Sequence, residues 1–589
     1  MGQGGCFSRT GTRWGSVYAL LPLAAFLGYA VVPKAQAVVF NVGAVEAQLD
    51  SSLMLESAWS TTHRDNRLVG VANGGGGLAS TGDDGRLNFK RWEPFTKRFT
   101  GLHGLELRYL DTGVYISGKY WYDFEQKDES RRFKDIEDNG RQRLAQASGI
   151  ALLDAYVYHN YRWRDEPGQV RLGKQVVNWG EATFFDGGVN VINPRDLSAY
   201  HRPGTELRDG LLPVNLVYGS QSLTDKLSIE GFYQLEWDKS VQENCGTFFA
   251  GSDLLADGCN SNLTVLSTGA GNEGVVVPRA GSRNARDGGQ WGGAVHYYVA
   301  PLDMDVGLYA ANYHSRAPVI GGRTAEDQAY ALGAQAIASA SRYYLEYPED
   351  IRLYGLSFSK QMPTGTIWRG ELSYRPNAPV SLNGVDLMNA ALVLADADLS
   401  PLSALPNADL KGYRRKEVTQ LQTGIEQTLD NVMGAERVVL QGEAAWVRTA
   451  GLTGGLRYGR DPVFGSGALP GGNCEALAAQ AAASKPGRYC NDDGFVTRDA
   501  WGYRLKAVWD YPNVVQRVML KPNLAWSHDV KGYGPNGSFN EGAKAVSVGL
   551  DVSYQNTYRA SLAYTNYFGG RYNTQSDRDF LSLGVGVDF

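Results

Sequence analysis

What most constrains this chain is how its strand-like segments are joined. Val546, Val548, Leu550, Val552 and Tyr554 fall on one face of a segment, with Ser547, Gly549, Asp551 and Ser553 on the other. After Gln555-Asn556-Thr557 the chain reverses into a second such segment carrying Tyr558, Ala560, Leu562 and Tyr564. Period-two alternation is the pattern of a half-buried strand, and the compact reversal makes a hairpin. Eight compact connections of this kind are legible, at residues 111–113, 165–167, 222–225, 300–303, 362–365, 430–434, 511–515 and 555–557. Long irregular stretches separate them, among them 239–288, 318–349, 377–412 and 450–500. Counting the long connections at both ends gives nine long and eight short, hence eighteen strands, with sixteen as the alternative.

Strict alternation of short and long has no cause in a soluble sandwich or propeller. It is what a membrane barrel requires, with short turns on the periplasmic rim and long loops outside. The expected fold is therefore all-β: a transmembrane antiparallel up-and-down β-barrel in the bacterial outer membrane. The last segment, LSLGVGVDF, alternates Leu581, Leu583, Val585, Val587 and Phe589 with small or polar residues, as a closing strand would. Its partner would be residues 45–59, where Ala47, Leu49, Leu53, Leu55 and Trp59 share a face and Asp50 and Glu56 take the other. Tyr161, Trp163, Trp509 and Tyr511, with Trp237, Trp368 and Trp446, are read as interfacial girdles at strand ends.

The N-terminus agrees with export. Arg9 and Arg13 precede an apolar run at 17–32 and then Ala35-Gln36-Ala37, the pattern of a secretory signal peptide cut after Ala37. Residues 38–589 are then one barrel domain. The formal net charge of −5 becomes −8 when Arg9, Arg13 and Lys34 leave, which argues against nucleic acid as a partner. Mean hydropathy of −0.31 is no objection, because lipid-facing and lumen-facing residues cancel in any window. The mature cysteines form two close pairs, Cys245 with Cys259 and Cys474 with Cys490, each expected to be a local disulfide. Loops this short are stabilised by roughly 3 kcal/mol in the chain-entropy model. No metal site and no cofactor is expected.

Alternation also names lumen-facing residues: Glu106, Arg108, Lys119, Arg171, Glu230, Arg369, Glu371, Arg504, Lys506 and Lys521, with Asp154, Arg162, Glu236 and Glu443. Both signs are present and neither forms the ring of one sign that a strongly charge-selective pore shows. An eighteen-strand wall leaves an open aqueous channel unless something occupies it. The segment suited to that task is 178–210, NWGEATFFDGGVNVINPRDLSAYHRPGTELRDG, dense in aromatics, prolines and charges. Folded inward, it would line a constriction with Trp179, Glu181, Arg195, Asp196, His201, Arg202, Glu206 and Arg208; folded outward, it would be a cap with its charges paired internally. Asn193 before Pro194 reads as an N-cap followed by proline, predicting a short helix over 195–200. Residues 128–146 read as an amphipathic helix on the surface, and 83–97 as a further candidate for insertion into the lumen.

The run GKQVVNWGEATFFDGGVNVINPRDLSAYHRPGTELRDGLLPVNLVYGS, with ASGIALLDAYVY upstream and SIEGFYQLEWD downstream, resembles the proteobacterial outer-membrane family catalogued as domain of unknown function 1302. The resemblance spans nearly the whole mature chain. It implies a trans-envelope system that moves lipid-like or other hydrophobic compounds. Its partners would be a periplasmic protein of the 1329 domain family, an inner-membrane transporter of the resistance-nodulation-division type, and outer-membrane lipid.

The leading expectation is thus an outer-membrane channel or transporter for hydrophobic or amphipathic small molecules. The alternative is a substrate-specific diffusion porin for small polar acids, which would want a basic ladder begun by Arg504, Lys506 and Lys521. Catalysis is not expected: His63, His103, His159, His201, His296, His314 and His528 lie in no nucleophile motif. The Gly- and Ala-rich outer loops at 377–404 and 465–484 read as loosely packed, against an adhesin. N-terminal sequencing of the protein extracted from membranes should start at Val38; a start at Met1 would contradict the export reading.

Overall fold

A computed structural model describes residues 38–202, 204–259, 262–267, 274–394, 396, 398–452, 454–480 and 485–589. The expected signal peptide, 1–37, lies outside the described residues. Eighteen antiparallel strands form the wall. They begin with β1 (Val45–Ser60), β2 (Pro94–Tyr109), β3 (Thr112–Asp123), β4 (Ser148–Trp163), β5 (Glu166–Gln175) and β6 (Val214–Ser222). The middle six are β7 (Leu227–Gln234), β8 (Trp291–Val299), β9 (Met304–Tyr313), β10 (Ile351–Gln361), β11 (Ile367–Ser381) and β12 (Tyr413–Asp430). The last six are β13 (Arg437–Thr449), β14 (Asp499–Val515), β15 (Val518–Lys531), β16 (Ala543–Tyr554), β17 (Tyr558–Gly569) and β18 (Phe580–Asp588).

Each strand pairs with its sequence neighbours, and β1 pairs with β18 from Ser52↔Asp588 to Ser60↔Phe580, so the wall closes on itself. Phe589 completes the seam: its N–H donates to the Ser51 carbonyl (2.8 Å), and its carbonyl accepts from Ser51 N–H (2.6 Å). Below that point the short strand Val38–Val42 turns at Gly43 (φ 65°) and pairs back on Val45–Leu49, extending the same edge. Residues 38–44 are therefore rim and not plug. Alternation of inward and outward side chains runs around the wall, changing parity where β4 bulges between Leu152 and Ala155. Ile116, Ile150, Leu172, Val217, Val295, Leu308, Leu356, Leu421, Leu505, Val548, Leu562 and Leu583 are all exposed on the outer face. A continuous apolar outer band on a closed barrel is a membrane-spanning surface.

Turns of six residues or fewer collect on one rim, and the long connections on the other. One turn departs from the sequence reading. The strand continues through Tyr511-Pro512-Asn513 to Val515 and reverses at Gln516-Arg517. A register shift between Tyr511 and Val515 absorbs Pro512, which has no N–H for the ladder.

Two further expectations are corrected. Residues 128–146 are not a helix: only Phe124–Asp128 and the single turn Arg143–Ala145 are helical. Their charges are taken by distant partners, with Lys134 on Asp84 (2.9 Å) and Arg141 on Asn244 (2.5 Å), so tertiary pairing overrides the periodic pattern. Trp237 belongs to no girdle; it is buried against Tyr347 among the loops (ring centroids 4.8 Å) and donates to the Ser315 carbonyl (3.2 Å). Both cysteine pairs are bonded, with Cα separations of 5.9 and 5.7 Å. Over the loop rim these segments pack a cap whose largest apolar cluster includes Val380, Leu387, Leu402, Tyr458 and Phe539.

Deleting residues 580–589 would leave β1 and β17 with unpaired edges in lipid, where each orphaned backbone group costs several kcal/mol. Unheated gel electrophoresis should then show no compact, heat-modifiable band; a compact band from the deletion would contradict the closure.

Candidate functional site: a loop drawn through the barrel

The β5–β6 connection, 176–213, does not cap the rim. It is pulled into the lumen by two glutamates of the wall. Glu371 on β11 accepts from the backbone amides of Glu181 (2.7 Å), Ala182 (3.2 Å) and Val189 (2.8 Å). Glu443 on β13 accepts from those of Thr183 (3.0 Å), Phe184 (2.6 Å) and Phe185 (3.1 Å). Both carboxylates are buried. Five successive amides, 181–185, thus turn toward two inward carboxylates, an anion-binding concavity of backbone N–H groups filled by the protein's own side chains. Glycine permits the approach: a Cβ on Gly180 (φ 83°) or on Gly188 would collide with a Glu371 carboxylate oxygen.

Beyond this anchor the loop touches the wall on all sides. Trp179 is buried against Phe232 and Tyr309 and donates from Nε1 to Glu230 (2.8 Å). Ser373 and Arg375 donate to the Gly187 carbonyl (3.1 and 2.7 Å), and Gln420 to that of Asp186 (2.7 Å). Arg202 reaches the Ser582 hydroxyl, and the Tyr567 hydroxyl donates to the His201 carbonyl. The segment therefore spans from β7 to β18.

The remaining loop residues are held as follows. Glu181 lies 3.9 Å from Arg369, and burial raises its carboxyl above the usual range while Arg369 pulls it back. Arg195 pairs with Asp186 and donates to the Asn190 carbonyl (2.8 Å). Asp196 caps the turn Leu197–Tyr200 through Ser198 N–H (3.1 Å) and sits 3.8 Å from Lys119. The short helix is therefore capped three residues later than expected. Asn193 instead ties the two ends of the loop, accepting from Val177 N–H (3.0 Å) and donating to the Leu212 carbonyl (2.8 Å). His201 stacks on Phe249 (3.7 Å) and meets Glu243 (2.7 Å). Glu206 caps the turn Leu207–Gly210 and pairs with Arg208 (2.9 Å), which is otherwise exposed.

On the wall, the register places Glu106, Arg108, Lys119, Arg171, Glu230, Arg369, Glu371, Arg504, Lys506 and Lys521 on the face opposite the apolar band. Glu106 accepts from Tyr158, Arg108 pairs with Glu46 (2.7 Å), and Arg171 lies over Tyr218 (4.1 Å). The notion of a basic ladder is corrected. Arg504 pairs with Asp529 (2.6 Å), Lys521 with Asp510 (3.5 Å), and Lys506 stands 3.9 Å from Glu206, so each rung has an acid beside it. Residues 83–97 are also not in the lumen: the helix Asp84–Asn88 packs among outer loops, with Arg86 on Asp577 (3.1 Å) and Asn88 on the Gly246 carbonyl (2.9 Å).

On the loop-rim side of the inserted segment is a chamber of about 620 Å³. Its lining mixes Phe184, Phe185, Tyr313 and Val380 with Arg316 and Arg375. Arg195, Arg202 and Arg504 also face it, against one acid among the described lining residues, Asp186. Burial lowers the Arg316 guanidinium to about 10, so it stays charged at neutral pH. On the turn-rim side, a second chamber of about 450 Å³ is lined by Asp50, Asp154 and Asp588 with Tyr115 and Ser117.

A closed, membrane-spanning, eighteen-strand wall with a segment drawn through its lumen defines the channel class of outer-membrane-type barrels. The chain belongs to the family described as "Protein of unknown function (DUF1302)", whose profile matches residues 19–589. No curated protein matches it in sequence. Among solved structures it is similar to Acinetobacter baumannii OccAB1 at 9% identity, covering 94% of this chain and 98% of that one, with a TM-score of 0.40. It is similar to Pseudomonas aeruginosa OccK1 (OpdK) at 10% identity, 92% and 98% coverage and 0.38. The outer-membrane channel DcaP of A. baumannii aligns at 9% identity, 94% and 100% coverage and 0.34.

Strand alternation puts Glu371 and Glu443 inside, but it does not show that they grip the loop. The available signal was the pairing of two inward glutamates with a glycine-bearing WGEATFFDGG run. Substituting both by alanine strands six buried amides, each charged hydrogen bond being worth roughly 1.5–3 kcal/mol. Single-channel conductance of Glu371→Ala/Glu443→Ala should rise at least about twofold as the loop leaves an otherwise open lumen; unchanged conductance would show that the loop is held by other means.

Proposed function

We propose that this protein is a channel or transporter of the bacterial outer membrane, with its short turns in the periplasm, that passes hydrophobic or amphipathic small molecules. The observation that carries the reading is the outer chamber above the inserted loop. Aromatic and aliphatic walls accept an apolar body, while guanidinium groups without a matching number of acids suit an anionic head. Below the loop the lining turns acidic, which discourages an anion from lingering and favours its onward release. Energy cannot come from a gradient across a permeable outer membrane, so movement is passive or driven from the inner membrane. This is consistent with a trans-envelope system that includes a 1329-domain periplasmic protein and a resistance-nodulation-division type transporter.

The alternative, a diffusion porin for small polar acids, draws on the same arginines. Against it stands the apolar share of the same lining, Phe184, Phe185, Tyr313 and Val380, which a small polar acid would leave unused. Planar-bilayer recording separates the two. A long-chain carboxylate should block the current at concentrations at least about tenfold below those of acetate or benzoate, since each buried methylene adds about 0.8 kcal/mol. Block by small carboxylates at equal or lower concentration would overturn the amphiphile reading.

A further inference from the structure

Outside the lumen, in the loop cap, three aspartates from two distant loops converge. Asp83, Asp84 and Asp253 each offer a carboxylate oxygen, and the three atoms lie within 4.8 Å of one another. All three residues are buried, with Asp83 and Asp253 at 1% exposure. The two loops are joined at this point by the Asp253 N–H, which donates to the Thr81 carbonyl (2.7 Å).

The partners of these carboxylates are unequal. Asp83 accepts from Gly70 N–H (2.7 Å) and from the Asn73 amide (3.1 Å). One oxygen of Asp84 meets Lys134 Nζ (2.9 Å). Among the described residues, both oxygens of Asp253 are buried and have no hydrogen-bond partner in bonding geometry; the Asp84 backbone amide faces the group, and the Lys134 ammonium acts on it only through space. The nearby guanidinium groups of Arg86 and Arg578 are directed to a different acid, Asp577 (3.1 and 3.9 Å). A buried carboxylate without a bonded donor is costly, and the single ammonium of Lys134, held on Asp84, does not balance three converging carboxylates. The Asp253 oxygens point into the cluster and not to solvent, which is the arrangement a cation would satisfy.

We infer that Asp83, Asp84 and Asp253 form a binding site for a hard divalent cation, calcium by preference, that clasps the loop following β1 to the loop between β7 and β8. The donor set is all oxygen, with no histidine or thiolate in the cluster among the described residues, which disfavours zinc, copper and iron and suits calcium or magnesium. Calcium fits better, because it accepts irregular coordination and can complete its shell with carbonyls and water. Each aspartate oxygen that already accepts one hydrogen bond retains a lone pair for the ion. Bound there, the ion would hold the side wall of the outer mouth, because Phe248 and Phe249, a few residues before Asp253, pack on Phe95 and Phe580 at the rim. This site is independent of the proposed cargo.

The test uses the full mature chain, folded in lipopolysaccharide-free detergent and stripped with EDTA. Calorimetric titration with calcium chloride should give one site per chain with Kd on the order of 10⁻⁴ M or tighter, magnesium binding at least about tenfold more weakly. Calcium should also slow proteolytic cleavage within residues 61–93. Asp253→Asn should lose calcium binding by at least tenfold while remaining as compact as the native chain on unheated gels, and Asp84→Asn should do the same. Absence of binding heat and of protection in the native chain up to 10 mM calcium, or equal binding by Asp253→Asn, would overturn the inference.

Discussion

Lipid offers no partner for a backbone amide, and that single constraint organises the molecule. A sheet in such a medium has to close, so β18 must find β1, and Phe589 carries that seam on by exchanging both its hydrogen bonds with Ser51. Closure fixes the alternation of faces, since a slip by one residue would turn Leu581 and Leu583 inward and Ser582 outward. It fixes the rims as well: with an even number of strands, the start of β1 and the end of β18 both lie beside the short turns, and the long connections project the other way. The strand at Val38–Val42 obeys the same rule by continuing the edge below the C-terminal strand.

The second constraint follows from the first. A wall of eighteen strands encloses more space than its own side chains fill, and inward residues face water unless the chain supplies something else. Here it supplies the segment after β5. Burying an irregular loop is normally prohibitive, because its amides need acceptors. Glu371 and Glu443 solve this by presenting carboxylates to six amides in a region where charge-assisted hydrogen bonds are strong. The arrangement is reciprocal: the loop takes the place of water on the two glutamates, and without them its six buried amides would lack acceptors. Such mutual dependence makes the inserted state well defined.

The strands were legible because period-two alternation is local and the medium enforces it at every position. The expected first strand, 45–59, and the hairpin of β16 and β17 are found as read. The short-turn rim was legible for the same reason, with one exception: at Pro512 a bulge carries the strand four residues further, which no local turn signal distinguishes from a reversal. The loops were not legible in this way. Residues 128–146 carry helical charge spacing, yet Lys134 and Arg141 are committed to Asp84 and Asn244 from other loops. Whether 178–210 would fold inward also turned on distant residues, since nothing inside that segment announces that its acceptors stand on β11 and β13. Arg504, Lys506 and Lys521 share a face as the alternation says, but only the assembled wall brings an acid to each.

The central claim is that a membrane-embedded closed wall holds the loop segment from Trp179 to Val189 within its lumen on Glu371 and Glu443. Single-particle electron microscopy of the protein in lipid nanodiscs tests this most directly. The account predicts continuous density from Trp179 to Val189 inside the wall, joined to both glutamates, with clear chambers above and below. Density for that segment lying on top of the rim, over an unobstructed lumen, would contradict it.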